Sequence, residues 1–351
     1  MQEYSHDDVN YLLFFGLVDE AARTDRRISC FIEASSLRVG TRLSCSFFDF
    51  SSGVFTVTLL DITAAFDSDD RCRELLERLR WPLGPECPRC YTRDLARLTA
   101  KLLYCKECDY QFSVTAGTIF HDSHLPLLKW FVATHLICES RKGMSANQVK
   151  RMLGISYKTA WYLCHRIRRA MAFVDRPLLD GTVEMDETYI GGRQKSTRKA
   201  GFGNSNKQVV IGIRQRGGDV RFFHAEDAKT GTLARYIQEN ISQDVDVIVT
   251  DEYRPYRKAV GNARHETVNH AAKEYVRFGT DIHTNTVESA FSLLKRGIIG
   301  TWHRISPKHL QAYLDEMTFR FDRRNRSDLF LDTLRHMVTA DPLTFETLIA
   351  A

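Results

Sequence analysis

Three acidic residues stand where a chain would place carboxylates for metal chemistry. Asp186 lies inside the strand-like run Val183 to Ile190, which Gly191-Gly192 closes, Asp251 follows the apolar run Val245 to Thr250, and Glu288 sits in Thr284-Asn285-Thr286-Val287-Glu288-Ser289. Mg²⁺ favours a few carboxylates together with phosphate oxygens, and a pair of such ions activates an attacking oxygen and stabilises a leaving one at phosphorus. Each acid also has a plainer reading. Asp186 could be a strand-edge charge, Asp251 a turn opener with Glu252, and Glu288 the reciprocal partner of an Asn285 helix cap, turned back onto its own backbone. Three acids at matching places favour a metal site.

A second set of residues offers a different chemistry. Cys87-Pro88-Arg89-Cys90, a gap of fourteen residues and Cys105-Lys106-Glu107-Cys108 form two C-x2-C pairs. At this separation two hairpin knuckles each present two thiolates to one tetrahedral Zn²⁺. Four thiolates close the coordination shell, so this zinc is structural and does no chemistry. Cys30, Cys45, Cys72, Cys138 and Cys164 lack such spacing and read as ordinary thiols.

The 351-residue chain has 43% hydrophobic residues and a net charge of +5, which gives each of two or three domains a core and leaves a mildly basic surface. No apolar run reaches about 18 residues and the N-terminus lacks the basic start of a secretory signal, so a cytoplasmic protein is expected. Four of the nine cysteines falling in close pairs points to metal in a reducing compartment and away from disulfides.

The elements that must position these residues follow from the pattern along the chain. Residues 1–56 show no sustained period and receive no function; a start near Val57 and a small accessory subdomain are both open readings. Residues 57–82 form a short helical lead-in, with Leu75, Leu76 and Leu79 at helical spacing. The cysteine module occupies 83–117. In 118–175, Leu125 to Glu139 reads as a helix, and two further helices meet at Gly154-Ile155-Ser156, the arrangement a helix-turn-helix requires. The second helix would then present Tyr157, Lys158 and Thr159 to base edges of double-stranded DNA, with Arg166, Arg168 and Arg169 reaching its backbone. A helical hairpin with a basic face is the plainer alternative.

After Asp175-Arg176-Pro177 the pattern turns strand-rich. Strands are expected at Val183 to Ile190, Val209 to Arg214, Val220 to Ala225, Val245 to Thr250 and Glu266 to Asn269. Helices are expected at Thr230 to Ile241, at Tyr253 to Val260 and from Thr284 onward. A basic loop with Arg193, Lys195, Arg198, Lys199 and Lys207 follows the first strand. Three strands, helix, strand, helix, strand, helix is the order of an RNase H-like fold, a mixed sheet flanked by helices. The fold class is thus α+β or α/β: zinc ribbon and helical DNA-binding region, then an RNase H-like domain over 176–330 and a C-terminal tail over 331–351.

From about Val57 to Arg326 the chain resembles the DDE transposases of bacterial insertion sequences that carry an N-terminal zinc ribbon and a helix-turn-helix. The four cysteines carry this resemblance together with Met185 to Gly192, Thr250-Asp251-Glu252-Tyr253, His283 to Ser289 and Leu293-Leu294-Lys295-Arg296-Gly297. It implies cleavage and strand transfer of transposon ends into target DNA with Mg²⁺ or Mn²⁺. Asp186, Asp251 and Glu288 would be the triad, Lys295 an accompanying basic residue, and a homo-oligomer at the nucleoid the working form. A DNA-binding regulator whose RNase H-like part no longer cuts is the alternative, and a nuclease or resolvase is a third.

Overall fold

A computed structural model describes residues 57–172, 176–191, 207–270, 272 and 274–350. The segment 1–56 with Cys30 and Cys45, the linker residue Asp175 and the loop cations Arg193, Lys195, Arg198 and Lys199 lie outside these residues.

Two short helices open the described chain. Helix α1 (Leu59–Ala65) starts with a capping box, in which Thr58 accepts from Asp61 N–H and the Asp61 side chain accepts from Thr58 N–H. Helix α2 (Asp69–Arg80) is capped by Ser68 and buries Cys72, Leu75 and Leu76. A three-stranded antiparallel sheet follows, made of β1 (Leu95–Arg97), β2 (Leu103–Cys105) and β3 (Gln111–Phe112). Next come α3 (Leu127–Glu139), α4 (Ala146–Leu153) and α5 (Tyr157–Met171). Between α4 and α5, Gly154 takes φ +61°, a left-handed conformation that glycine adopts without strain, and Ser156 caps α5 by accepting from Thr159 N–H.

The second part is a five-stranded sheet with the order β6-β5-β4-β7-β8: β4 (Thr182–Ile190), β5 (Gln208–Gln215), β6 (Val220–Ala225), β7 (Val247–Asp251) and β8 (His265–Val268). The first three strands form an antiparallel meander, and β7 and β8 join parallel to β4. Helices α6 (Thr230–Asn240) and α7 (Arg254–Ala259) supply the core on one face, and α8 (Asn285–Gly297) and α9 (Leu310–Asp322) on the other. This is the RNase H-like arrangement that the pattern predicts, with element ends that shift by one or two residues.

Helices α10 (Leu329–Thr339) and α11 (Phe345–Ala350) close the chain. Most of α10 lies in the segment expected as a tail, yet Leu331, Leu334, Met337 and Val338 are buried in one core with α1, α2, the cysteine module, α3 and α5. A polar cluster ties the helical part to the sheet domain. Glu316 of α9, fully buried, pairs with Arg168 of α5 at 2.6 Å and with Arg320 at 3.2 Å, and Arg320 also donates to Ser140 O. Buried charge persists only when paired in this way.

Candidate active site and cysteine cluster

The four cysteines meet as their spacing requires. Sγ atoms of Cys87 and Cys108 are 3.7 Å apart, those of Cys90 and Cys105 3.4 Å, and those of Cys90 and Cys108 3.6 Å. Four thiolates about 2.3 Å from one Zn²⁺ would stand at this kind of separation, so the residues fit a tetrahedral ion. Both knuckles are built alike. Cys87 N–H donates to Thr92 O and Cys105 N–H to Tyr110 O, and the residue after each second cysteine, Tyr91 or Asp109, takes a positive φ. Nearby cations are partly committed within the protein: Arg97 pairs with Glu77 and Arg89 stacks on the ring of Tyr110.

Strand β4 places Asp186 at the middle of the five-stranded sheet. The parallel register pairs Glu184 with Val249, and two residues further on it brings Asp251, at the end of β7, beside Asp186. Helix α8 crosses the same face. Gly212 of β5, opposite Asp186, leaves the room that Phe291 of α8 fills, because a Cβ there would lie 2.6 Å from Phe291 Cζ. Glu288 is thereby carried toward the two aspartates. Burial first, then the charges of Glu187 and Asp251 and more weakly Glu288, push the Asp186 carboxyl up to about 7, against a hydrogen bond from Glu187 N–H. Drawing like charges together in a poorly hydrated place is what a cation would relieve. The oxygens of the three acids do not all lie within 4.8 Å of one another; among the described residues only the cysteine cluster is that tight.

The neighbouring acid Glu187 does different work. It leaves β4 on the opposite face and accepts from Tyr256 Oη at 2.8 Å. Asp251 accepts from Tyr253 N–H at 3.0 Å. Thr284, not Asn285, is the residue that precedes α8, so Glu288 is not the reciprocal partner of an Asn285 cap. Its Oε1 instead accepts from Thr284 Oγ1 at 2.9 Å and lies 3.2 Å from His270 Nε2, which also reaches Thr284 Oγ1 at 3.0 Å. Sequence reasoning missed His270, Tyr256 and Glu184; the acidic Glu184, two residues before Asp186 in a strand, was the one visible signal.

Lys295 is exposed two turns after Glu288. With Tyr189, Gln208, His303 and Arg304 it lines a cavity of about 750 Å³ where β4 and α8 end. On α5, Tyr157, Lys158, Thr159 and Arg169 are exposed, although Lys158 Nζ rests 4.5 Å from the ring of Phe345. The expectation that Arg166 and Arg168 reach a DNA backbone is corrected. Both are buried: Arg166 donates to His121 O and lies over Trp130 and Tyr162, and Arg168 is held by Glu316 and the Tyr313 ring.

A ribbon-type cysteine cluster joined through helices to an RNase H-like sheet, with Asp186 and Asp251 on adjacent strands, fits the transposase class. The chain belongs to the ISXO2-like transposases: the model of that transposase domain matches residues 178–322, and the model of the transposase zinc-ribbon domain matches 67–111. An uncharacterized protein in transposable element ISH50 of Halobacterium salinarum is 31% identical over 275 residues, which span 73% of this chain and 91% of the relative. Among solved structures, the Mos1 strand transfer complex aligns over 56% of this chain and 71% of its own at 10% identity, with a TM-score of 0.26. A pre-cleavage Mos1 transpososome aligns over 56% and 72% with a TM-score of 0.23. Among the described residues no helix is long and apolar enough to cross a membrane.

Proposed function

We propose that the protein binds the ends of its insertion sequence and, with Mg²⁺ or Mn²⁺, cuts and rejoins DNA strands there. The observation that carries this reading is the convergence of Asp186, Asp251 and Glu288 on one face of the sheet, with Asp186 held up to about 7 by burial and neighbouring acids. When bound, the divalent ions would supply the activation of the attacking oxygen and the stabilisation of the leaving one. The chain's own part is placement. Asp186 and Asp251 sit on adjacent rigid strands, and Glu288 offers Oε2, since Thr284 and His270 both engage Oε1. Lys295 lies roughly 10 Å along α8 from Glu288, a reach that suits a phosphate beside the scissile one. Tyr157, Lys158, Thr159 and Arg169 would contact DNA from α5. The ribbon zinc would hold β1–β3 in shape, and a homo-oligomer would pair two transposon ends.

The test is cleavage and strand transfer on duplexes bearing the element's own ends. Asp186→Ala should abolish both while end binding persists. Normal cleavage by that variant sinks the triad. Binding without cleavage by the wild type favours a regulator, and cleavage without transfer favours a nuclease.

A further inference from the structure

Glu184 precedes Asp186 by two residues on β4, so both side chains leave the sheet on the same face. It is fully buried, and its two oxygens are divided between two tasks. Oε1 pairs with Arg216 at 2.9 Å and lies 3.3 Å from His283 Nδ1. Oε2 accepts from the backbone N–H groups of Thr286 at 2.9 Å and Val287 at 3.0 Å. These two amides open α8, and Thr284, the residue at its cap position, makes no side-chain cap bond. A carboxylate against two orphan donors at the positive end of a helix is a cap delivered from another element. Arg214, which pairs with Glu184 across the strands, donates to Thr286 O at 2.5 Å, and the bare Gly212 receives Phe291. The first two turns of α8 are therefore fastened at three points, one to β4, which carries Asp186, and two to its neighbour β5.

We propose that Glu184 is a positioning residue for the divalent-metal site: by clamping the first turn of α8 to β4 it fixes Glu288, the residue after Val287, opposite Asp186. The inference rests on the metal-dependent reading above. Mg²⁺ requires near-ideal octahedral ligands at about 2.0–2.1 Å, and functional constellations tolerate misplacement of only about 0.5 Å. A helix end free to slide by that much would still fold but would hold the ion poorly. A merely structural ion pair predicts lost stability with no specific loss of metal.

The experiment uses full-length, zinc-loaded protein without DNA. Mn²⁺ binding is followed by the paramagnetic resonance of the free ion, and amide exchange is read at Val287. Glu184→Gln keeps the shape but loses the charge that Arg216 and the two amides share. Glu316→Gln is the control, a second fully buried carboxylate whose pair with Arg168 joins α5 to α9 and which also pairs with Arg320 within α9. Glu184→Gln should weaken Mn²⁺ binding at least tenfold and speed Val287 exchange at least tenfold. Glu316→Gln should lower Tm and leave both unchanged. If Glu184→Gln fails to fold, Arg214→Lys loosens the same turn from its carbonyl side and carries the same expectation. A folded variant that binds Mn²⁺ like the wild type overturns the inference, as does an equal loss in Glu316→Gln. If the wild type binds Mn²⁺ no better than Asp186→Asn, the metal-dependent reading itself fails, a pattern distinct from the other two.

Discussion

Replacing Asp186 by Asn should stabilise the protein when no divalent ion is present. Burial, reinforced by Glu187, Asp251 and Glu288, raises the Asp186 carboxyl to about 7, whereas in the unfolded chain an aspartate titrates near 3.9. The folded state thus binds the proton more tightly. The sign follows: this group's contribution is fully present below about pH 4 and is lost as pH rises through about 7. At about 1.36 kcal/mol for each tenfold change in proton affinity, the loss approaches a ceiling of roughly 4 kcal/mol above neutrality, and relaxation of the half-buried side chain lowers it. We expect Asp186→Asn to gain roughly 1–4 kcal/mol at pH 8 and little at pH 4. Urea denaturation of both proteins, zinc-loaded and in Mg²⁺-free buffer, measures it. Asp322 is also raised to about 7 by burial, but it is common to both proteins and cancels in the difference. Adding Mg²⁺ should stabilise the wild type alone, since only a ligand that binds the folded state shifts the balance. Equal or lower stability of the variant at pH 8, or a difference that ignores pH, would refute the reasoning.

Glu316→Ala should cost roughly 3–5 kcal/mol in chemical denaturation, because it leaves the buried Arg168 and Arg320 without their shared carboxylate. Cys105→Ser should lower zinc content in metal analysis and unfold β1–β3, since a closed thiolate site contributes its binding energy to folding. Lys158→Ala together with Arg169→Ala should weaken binding to transposon ends and reduce the salt slope by about 2, read from affinities at several salt concentrations. An unchanged slope would leave α5 as scaffold.

The strands and helices of the sheet domain were legible because their apolar periods are local, and a period of two or 3.6 survives whatever packs against it. The cysteine pairs were legible for the same reason, since two knuckles encode their own geometry. The cations of α5 were not. Arg166, Arg168 and Arg169 look alike in the sequence, yet α5 is covered on several sides by α3, α9 and α10, and only Arg169 among the three points to solvent. What buries Arg168 is Glu316, 148 residues away, and no local period announces such a partner. The packing of the expected tail was hidden likewise: Leu334 and Met337 are spaced for a helix, but the core they enter is built mainly from residues before 172.

Glu288 presented the hardest choice, because an acid at the start of a helix serves equally well as a cap or as a ligand. Its neighbours speak against the cap. A carboxylate turned back to its own first-turn amides would have both functions competing for one set of lone pairs. Here those amides are already satisfied by Glu184 from β4, 102 and 103 residues earlier in the chain. The capping requirement has been moved off the helix, which leaves Glu288 held only through Oε1, by Thr284 and His270. Two acids spaced by two in Glu184-Met185-Asp186 therefore divide the labour on one face of one strand. In the proposed arrangement the first seats the helix that carries Glu288, and the second lies on the face that this helix crosses. That division explains why a buried charge, costly anywhere else, is kept beside the candidate site.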